Sequence, residues 1–379
     1  MKVGVVSLGC AKNQVDTERM LGLLRRFGYD FTPDPAEAEV LIVNTCGFID
    51  PAKEESINTI LEMAQYKDTG SCRVLVATGC LTERYRQELK TELPEIDILL
   101  GVREYEKLPS LLSEKLGGPL PRLSCGLGDR LLTTPPYRAF LRTGDGCNNR
   151  CTYCAIPLIR GNLVSEPMEE LIDEAKVLAD RGVTELTVIA QDTSGYGVDR
   201  YGRSMLVPLL KELNGVDALH WVRVLYTYPD TVNEALLDTL AQGEKLIPYL
   251  DIPLQHIDDE ILKRMHRRGS GAYIRSLLDY LYKNYPDFTL RTTMMVGFPG
   301  RRTSSLMRCS PFSGTTPSTG WAPSPSPPRR ERRPPRCRTR YRKRSSRLGS
   351  PPSWPSKSPS PLDATSAGWA GRRSCSSKN

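Results

Sequence analysis

The chain has 379 residues, 52 Lys+Arg against 44 Asp+Glu, and 11 cysteines. That length points to two or three domains, and no apolar run approaches the roughly 18 residues of a membrane span. Cysteines in such number without a secretory signal indicate a reducing, cytoplasmic setting in which thiols serve metal or redox chemistry rather than disulfides.

The net charge of +8 hides a division of the chain. Residues 301–379 carry 18 Lys+Arg and 2 Asp+Glu, whereas residues 1–300 carry 34 and 42. The body is acidic, so only the tail favours a polyanion, and no direct nucleic-acid role is expected.

The N-terminal region repeats one unit three times. "VGVVSLGC", "EVLIVNTC" and "RVLVATGC" are apolar β-branched runs that place Cys10, Cys46 and Cys80 directly after successive strands. Helices fill the intervals. The first carries Met20, Leu21, Leu24 and Phe27 on one face, and the second opens at "DPAKEES" with Asp50 expected as N-cap and Pro51 at the first helical position. The fold expected for residues 1–125 is an α/β, Rossmann-like parallel sheet. All strands of such a sheet end on one edge, where ligands bind, so three cysteines in equivalent places converge on one metal site. A single cysteine there would read as a small apolar cap, and Cys72 and Cys125 are read in that way.

A second α/β series occupies residues 135–300. Its strands are "RAFLRTG", "ELTVIAQD", "WVRVLYTYP", "PYLDIPLQH" and "TLRTTMMVGFP", separated by amphipathic helices such as "MEELIDEAKVLADRG". Five βα steps form a partial barrel with its functional loops after the strands. The loop after the first strand reads "GDGCNNRCTYCAIP" and holds Cys147, Cys151 and Cys154. Thiolates favour zinc, copper(I) or iron–sulfur clusters. Three thiolates on a four-iron cluster leave one iron open to an outside ligand, whereas zinc would need a distant fourth ligand such as His256. Gln191 and Asp192 follow the second strand, and their bland reading is strand capping. The bland reading of His256 is a neutral imidazole hydrogen-bonded locally.

After Gly300 the α/β pattern stops. Residues 301–379 contain no Ile or Val, 13 of the 30 prolines and three of the four tryptophans. Such a segment is expected to be disordered, and a natural basic arm, a linker and a shifted reading frame are the three readings. The switch falls directly after an apolar strand, in mid-domain, which favours the shifted frame. The barrel is then truncated, and Cys309, Cys337 and Cys375 carry no function.

C-x3-C-x2-C with an aromatic residue, Tyr153, before the last cysteine resembles the signature of radical S-adenosylmethionine (SAM) enzymes. "SLGCAKNQVDTE", "NTCGFIDPAKEES", "GCNNRCTYCAIPLIRG", "AQDTSGYG", "YPD" and "IPLQHID" are together similar to the methylthiotransferases, nearest to the branch acting on ribosomal protein S12. The resemblance implies two 4Fe-4S clusters. Cys147, Cys151 and Cys154 would hold the one that binds SAM and releases a 5′-deoxyadenosyl radical, with Tyr153, Gln191 and Asp192 near the cofactor. Cys10, Cys46 and Cys80 would hold the auxiliary cluster that presents sulfur. A second SAM would supply the methyl group, the target being an aspartate β-carbon. A flavodoxin or ferredoxin would supply electrons, and no catalytic residue is assigned. The alternatives are a tRNA adenosine methylthiotransferase and an inactive iron–sulfur or zinc-binding remnant. The chain departs from the family in carrying Glu166 where Arg is usual, and in lacking the C-terminal TRAM domain.

Overall fold

The computed structural model describes residues 1–117 and 130–299, together with the backbone of residues 321–325. The first half is a five-stranded parallel sheet: β1 (Lys2–Ser7), β2 (Asp30–Phe31), β3 (Val40–Thr45), β4 (Val74–Gly79) and β5 (Ile98–Leu99), in the order β2-β1-β3-β4-β5. β3 and β4 are buried along their whole length because helices cover both faces. Met20 and Leu24 of helix Ala11–Arg26 and Leu108 and Leu112 of helix Leu108–Leu116 pack on one face. Ile60 and Met63 of helix Asp50–Ala64 pack on the other, together with Cys72, the ordinary core thiol expected of it. That helix begins at Asp50 with Ile49 in the capping position, so Asp50 lies one residue further into the helix than expected. Its carboxylate instead pairs with Lys53 at 3.1 Å across the first turn.

The second half is a curved parallel sheet. β6 (Arg138–Arg142) is followed by a short antiparallel pair, β7 (Gly144–Asp145) and β8 (Val164–Ser165), which brackets the cysteine-rich loop. β9 (Glu185–Ile189) lies between β6 and β10 (Trp221–Val224). β11 (Tyr249–Asp251) pairs with β12 (Thr289–Val296), and a bridge from Val222 to Leu246 joins the two sets. All five expected strands are present. They are shorter than their apolar runs because the polar ends, "TG", "QD" and "TYP", turn away from the ladder to form the loops of the functional edge. Helices Met168–Asp180, Leu206–Asn214, Glu234–Gln242 and Gly271–Asn284 cover the outside, and their buried leucines share one core with the strands.

The expectation of a barrel ending at β12 and a wholly irregular tail is corrected at one place. β13 (Trp321–Pro325) pairs parallel with β12, so the partial barrel has a sixth strand. β12 offers an unpaired row of backbone donors and acceptors, which recruits a further strand even from apolar-poor sequence. Pro323 and Pro325 are two residues apart and so remove donors from one side of the strand only, which an edge strand tolerates. The rest of the tail, with Cys309, Cys337 and Cys375, lies outside the described residues, as do Cys125 and the boundary segment 118–129. Residues Met1–Pro327 form one compact unit, so the two halves share an interface. Among the described residues no helix is long and apolar enough to cross a membrane.

Candidate functional site

The strand order β2-β1-β3-β4-β5 reverses direction between β1 and β3, and a ligand crevice opens outside the carboxyl ends at such a switch point. Cys10 and Cys46 flank it, and Cys80 follows the next strand. A Cβ on Gly9 would stand 3.0 Å from Cys46 Cβ and 3.2 Å from its Sγ, so the loops of Cys10 and Cys46 are in contact. Asn13 ties all three loops together. Its Nδ2 donates to Leu8 O (3.1 Å) and Thr45 O (2.9 Å), while its Oδ1 accepts from Cys80 Sγ (3.3 Å). Ser56 Oγ accepts from Cys46 N at 2.9 Å and donates to Cys46 O at 3.1 Å, fixing that residue from the helix side. Gly79 precedes Cys80 with φ +103°, and a side chain there would collide with Asn44 Oδ1 at 2.3 Å. The loops that carry Cys10, Cys46 and Cys80 thus lie side by side at the carboxyl edge of the sheet, held by Asn13. Burial raises the thiol of Cys46, and raises that of Cys80 to about 12 against the opposing charge of Arg160.

The other three cysteines occupy the loop between β7 and β8, on the functional edge of the barrel. Gly146 has φ +79° and lies so close to Asn162 O that a Cβ would approach it to 2.1 Å, while Cys147 N donates to Gly161 O at 3.2 Å. Cys154 N donates to Cys151 O at 3.0 Å, closing a turn between these two cysteines. Tyr153 packs against Ile261, Met265, Met295 and Phe298, and its hydroxyl accepts from Arg267 Nη1 at 3.1 Å. Arg267 also stacks on Tyr228, 4.3 Å from the ring centroid. Tyr153 thus anchors the loop to the far side of the barrel.

Gln191 and Asp192 follow β9 beside this loop. Asp192 accepts from Asn149 Nδ2 (2.6 Å), from Ser194 Oγ (2.6 Å) and from Gly195 N (3.3 Å), so it caps the short turn Thr193–Gly195 and the same carboxylate steadies the cysteine loop. Gln191 Nε2 donates to Asp145 Oδ1 at 2.9 Å, while its buried Oε1 meets no donor. His256 is fully buried after β11, and its Nδ1 accepts from Asp258 N at 3.0 Å, the local arrangement expected of a neutral imidazole. Glu166, the departure from the family pattern, pairs with Arg19 of the N-terminal half at 3.0 Å.

The sequence reading missed the group joining the two thiol sets. Arg160 is 2% exposed. Its Nη1 donates to Asp145 Oδ1 at 3.0 Å, and its Nη2 to Asp16 Oδ2 (2.7 Å), Asn13 Oδ1 (2.7 Å) and Cys80 Sγ (3.6 Å). Arg142 pairs with Asp16 from the barrel side. Burial alone would raise the Asp145 carboxyl, yet Arg160, Arg142 and Gln191 together hold it below its ordinary value. A lone arginine in "IPLIRG" gives no signal of this, since its partners lie 15 to 147 residues away in sequence.

Among the described residues no three His, Cys, Asp or Glu side chains stand close enough to share a single metal ion. An iron–sulfur cube takes one thiolate per iron, and each trio supplies three soft thiol donors of the kind it needs.

Relatives support the same reading. The family model "Radical SAM superfamily" matches residues 141–307, and "Uncharacterized protein family UPF0004" matches residues 2–101. The ribosomal protein uS12 methylthiotransferase RimO of Lachnoclostridium phytofermentans is 48% identical over 307 residues, 79% of this chain and 70% of that protein. RimO of Clostridium tetani is 46% identical over 319 residues, covering 82% and 71%. The chain belongs to the RimO family of radical SAM methylthiotransferases. Among solved structures, the radical SAM methyltransferase TsrM of Kitasatospora setae aligns with a TM-score of 0.60 at 13% identity, over 85% of this chain and 72% of that one. This likeness concerns the fold alone. Family membership brings one 4Fe-4S cluster and SAM as cofactors.

Proposed function

We infer that the chain is a radical SAM methylthiotransferase that modifies an aspartate β-carbon of ribosomal protein S12. The observation that carries this is the pairing of two cysteine trios across one interface, each at the carboxyl edge of its own parallel sheet and linked through Arg160. One trio would suffice for a radical enzyme that inserts nothing, so the second calls for a second group.

Cys147, Cys151 and Cys154 would hold the cluster that binds SAM, and Cys10, Cys46 and Cys80 an auxiliary cluster. When bound, a cluster with one open iron supplies the electron for reductive SAM cleavage, hence hydrogen abstraction, or a position for sulfur. The chain's own residues do the rest. Tyr153 and Arg267 pin the Cys151–Cys154 turn. The unpaired buried Gln191 Oε1 is an acceptor matched to the ammonium of a methionine moiety, with Asp192 holding the loop beside it. The N-terminal helix Ala11–Arg26 lies over the barrel mouth, where Ala11 and Val15 pack on Phe140, Ile189, Leu225 and Tyr226, and so excludes water from the reacting space. Electrons would come from a flavodoxin or ferredoxin, and the cytoplasm is the compartment that houses such a donor and this substrate.

The tRNA adenosine alternative shares the chemistry, but the relatives at 46–49% identity carry the S12 name. Anaerobically reconstituted protein incubated with SAM and a reductant, offered S12 and tRNA in parallel, tests the choice by mass spectrometry. Methylthiolated S12 with unmodified tRNA is expected, and the reverse overturns the reading.

A further inference from the structure

Lys12 follows the auxiliary-site residue Cys10 in the first turn of helix Ala11–Arg26. It is 9% exposed, and helix and barrel meet around it. Its ammonium stands 3.4 Å from the centroid of the Tyr226 ring, at the end of β10. Among the described residues no carboxylate or carbonyl is hydrogen-bonded to that ammonium, and besides the ring the groups of opposite charge that act on it are Cys10, Asp251 and Asp145. Both carboxylates are engaged elsewhere: Asp145 by Arg160 at 3.0 Å and Asp251 by Arg291 at 3.1 Å.

A buried cation without an anionic partner is costly to maintain unless something supplies the missing charge. Tyr226 shows a second sign of selection for use. It has φ +64°, a left-handed conformation rare for a bulky side chain, and that strain places its ring under the ammonium. The barrel mouth thus holds a preformed, desolvated cation that can receive an anion next to Cys10.

We propose that Lys12 is the substrate-binding residue that receives the side-chain carboxylate of the target aspartate of S12. The assignment rests on the functional reading above. Its geometry follows from the substrate's covalent structure: the β-carbon is bonded directly to the carboxylate carbon, so a carboxylate on Lys12 brings the reacting carbon beside Cys10. Asparagine has the same shape without the charge, and a site built this way rejects it.

The modified aspartate is first located by mass spectrometry of S12 treated with the wild-type, cluster-loaded full chain. Dissociation constants for S12 and for S12 with asparagine at that position are then measured anaerobically with the wild type, K12M and K12R. The wild type is expected to prefer aspartate by about tenfold or more, the scale of a desolvated charge pair. K12M should bind both forms alike, with KM for S12 raised in proportion, and K12R should recover part of the preference. Iron content and circular dichroism of K12M equal to wild type establish that the variant is folded and loaded. A K12M protein that keeps the full preference overturns the assignment while leaving the functional reading intact. Loss of iron from K12M also overturns it, since Lys12 would then support the auxiliary site. A wild type that neither binds nor modifies S12 overturns the functional reading and this assignment with it.

Discussion

Arg160 Nη2 lies 3.6 Å from Cys80 Sγ, while Nη1 of the same guanidinium donates to Asp145, two residues before Cys147. One buried side chain therefore joins the Cys80 thiol to the strand that leads into the Cys147 loop. Its charge is shared with Asp16 and Asp145, and Asn13 accepts a further hydrogen bond. R160Q removes the cation and leaves two carboxylates buried, which should cost about 3–5 kcal/mol of unfolding free energy. R160K should cost less but still lose the forked geometry that reaches several acceptors at once. Urea unfolding of the unloaded protein measures both, and an R160Q protein as stable as wild type would contradict the central place given to this network.

Substitution should separate the two trios. C147A, C151A and C154A should each abolish SAM cleavage and reduce iron from about eight to about four atoms per chain. C10A, C46A and C80A should show the same loss of iron while SAM cleavage continues and S12 stays unmodified. Iron and sulfide assays with product analysis distinguish the outcomes. Equal loss of SAM cleavage in both sets would contradict the division of labour.

The unpaired acceptor of Gln191 should show in affinity for SAM. Q191L keeps the approximate volume but removes the buried oxygen and the bond to Asp145, and should raise KM for SAM about tenfold, the scale of one buried hydrogen bond. An unchanged KM would reduce Gln191 to a support for Asp145.

How much of this could be read from residues alone differs by element. The strands ending at Cys46 and Cys80 were legible because β3 and β4 are buried on both faces and so read as continuous β-branched runs. The triplet at Cys147, Cys151 and Cys154 is local in sequence and visible at once. The two-residue edge strands β2 and β5 were not, since two residues carry no periodicity. β13 was also missed, because its pairing is imposed by the open edge of β12 and not by its own composition. The charged face of helix Ala11–Arg26 was hidden for a related reason. Asp16, Glu18 and Arg19 look like a solvated face, yet each pairs with a residue of the barrel half: Arg160, Arg130 and Glu174 respectively.

A pH effect on stability is expected away from the thiols. The Glu104 carboxylate, bound by Arg86, by Gly101 N at 2.8 Å and by Lys107 Nζ at 2.9 Å, is held down to about 2. A depressed carboxyl contributes stability that is fully present above its unfolded value near 4.5 and is lost as pH falls toward 2. E104Q should therefore be less stable than wild type at neutral pH, and the two should converge as pH falls from about 4.5 toward 2. A constant difference across that range would show that the lost contact is not ionic.

The most direct test of the account joins iron content to product in one sample. The full chain is reconstituted anaerobically, its metal is counted, and S12 is added with SAM and a reductant. The account predicts about eight irons per chain, SAM cleavage, and S12 carrying a methylthio group on an aspartate. One zinc per chain with no SAM cleavage, or eight irons with S12 unmodified and tRNA methylthiolated, would contradict it.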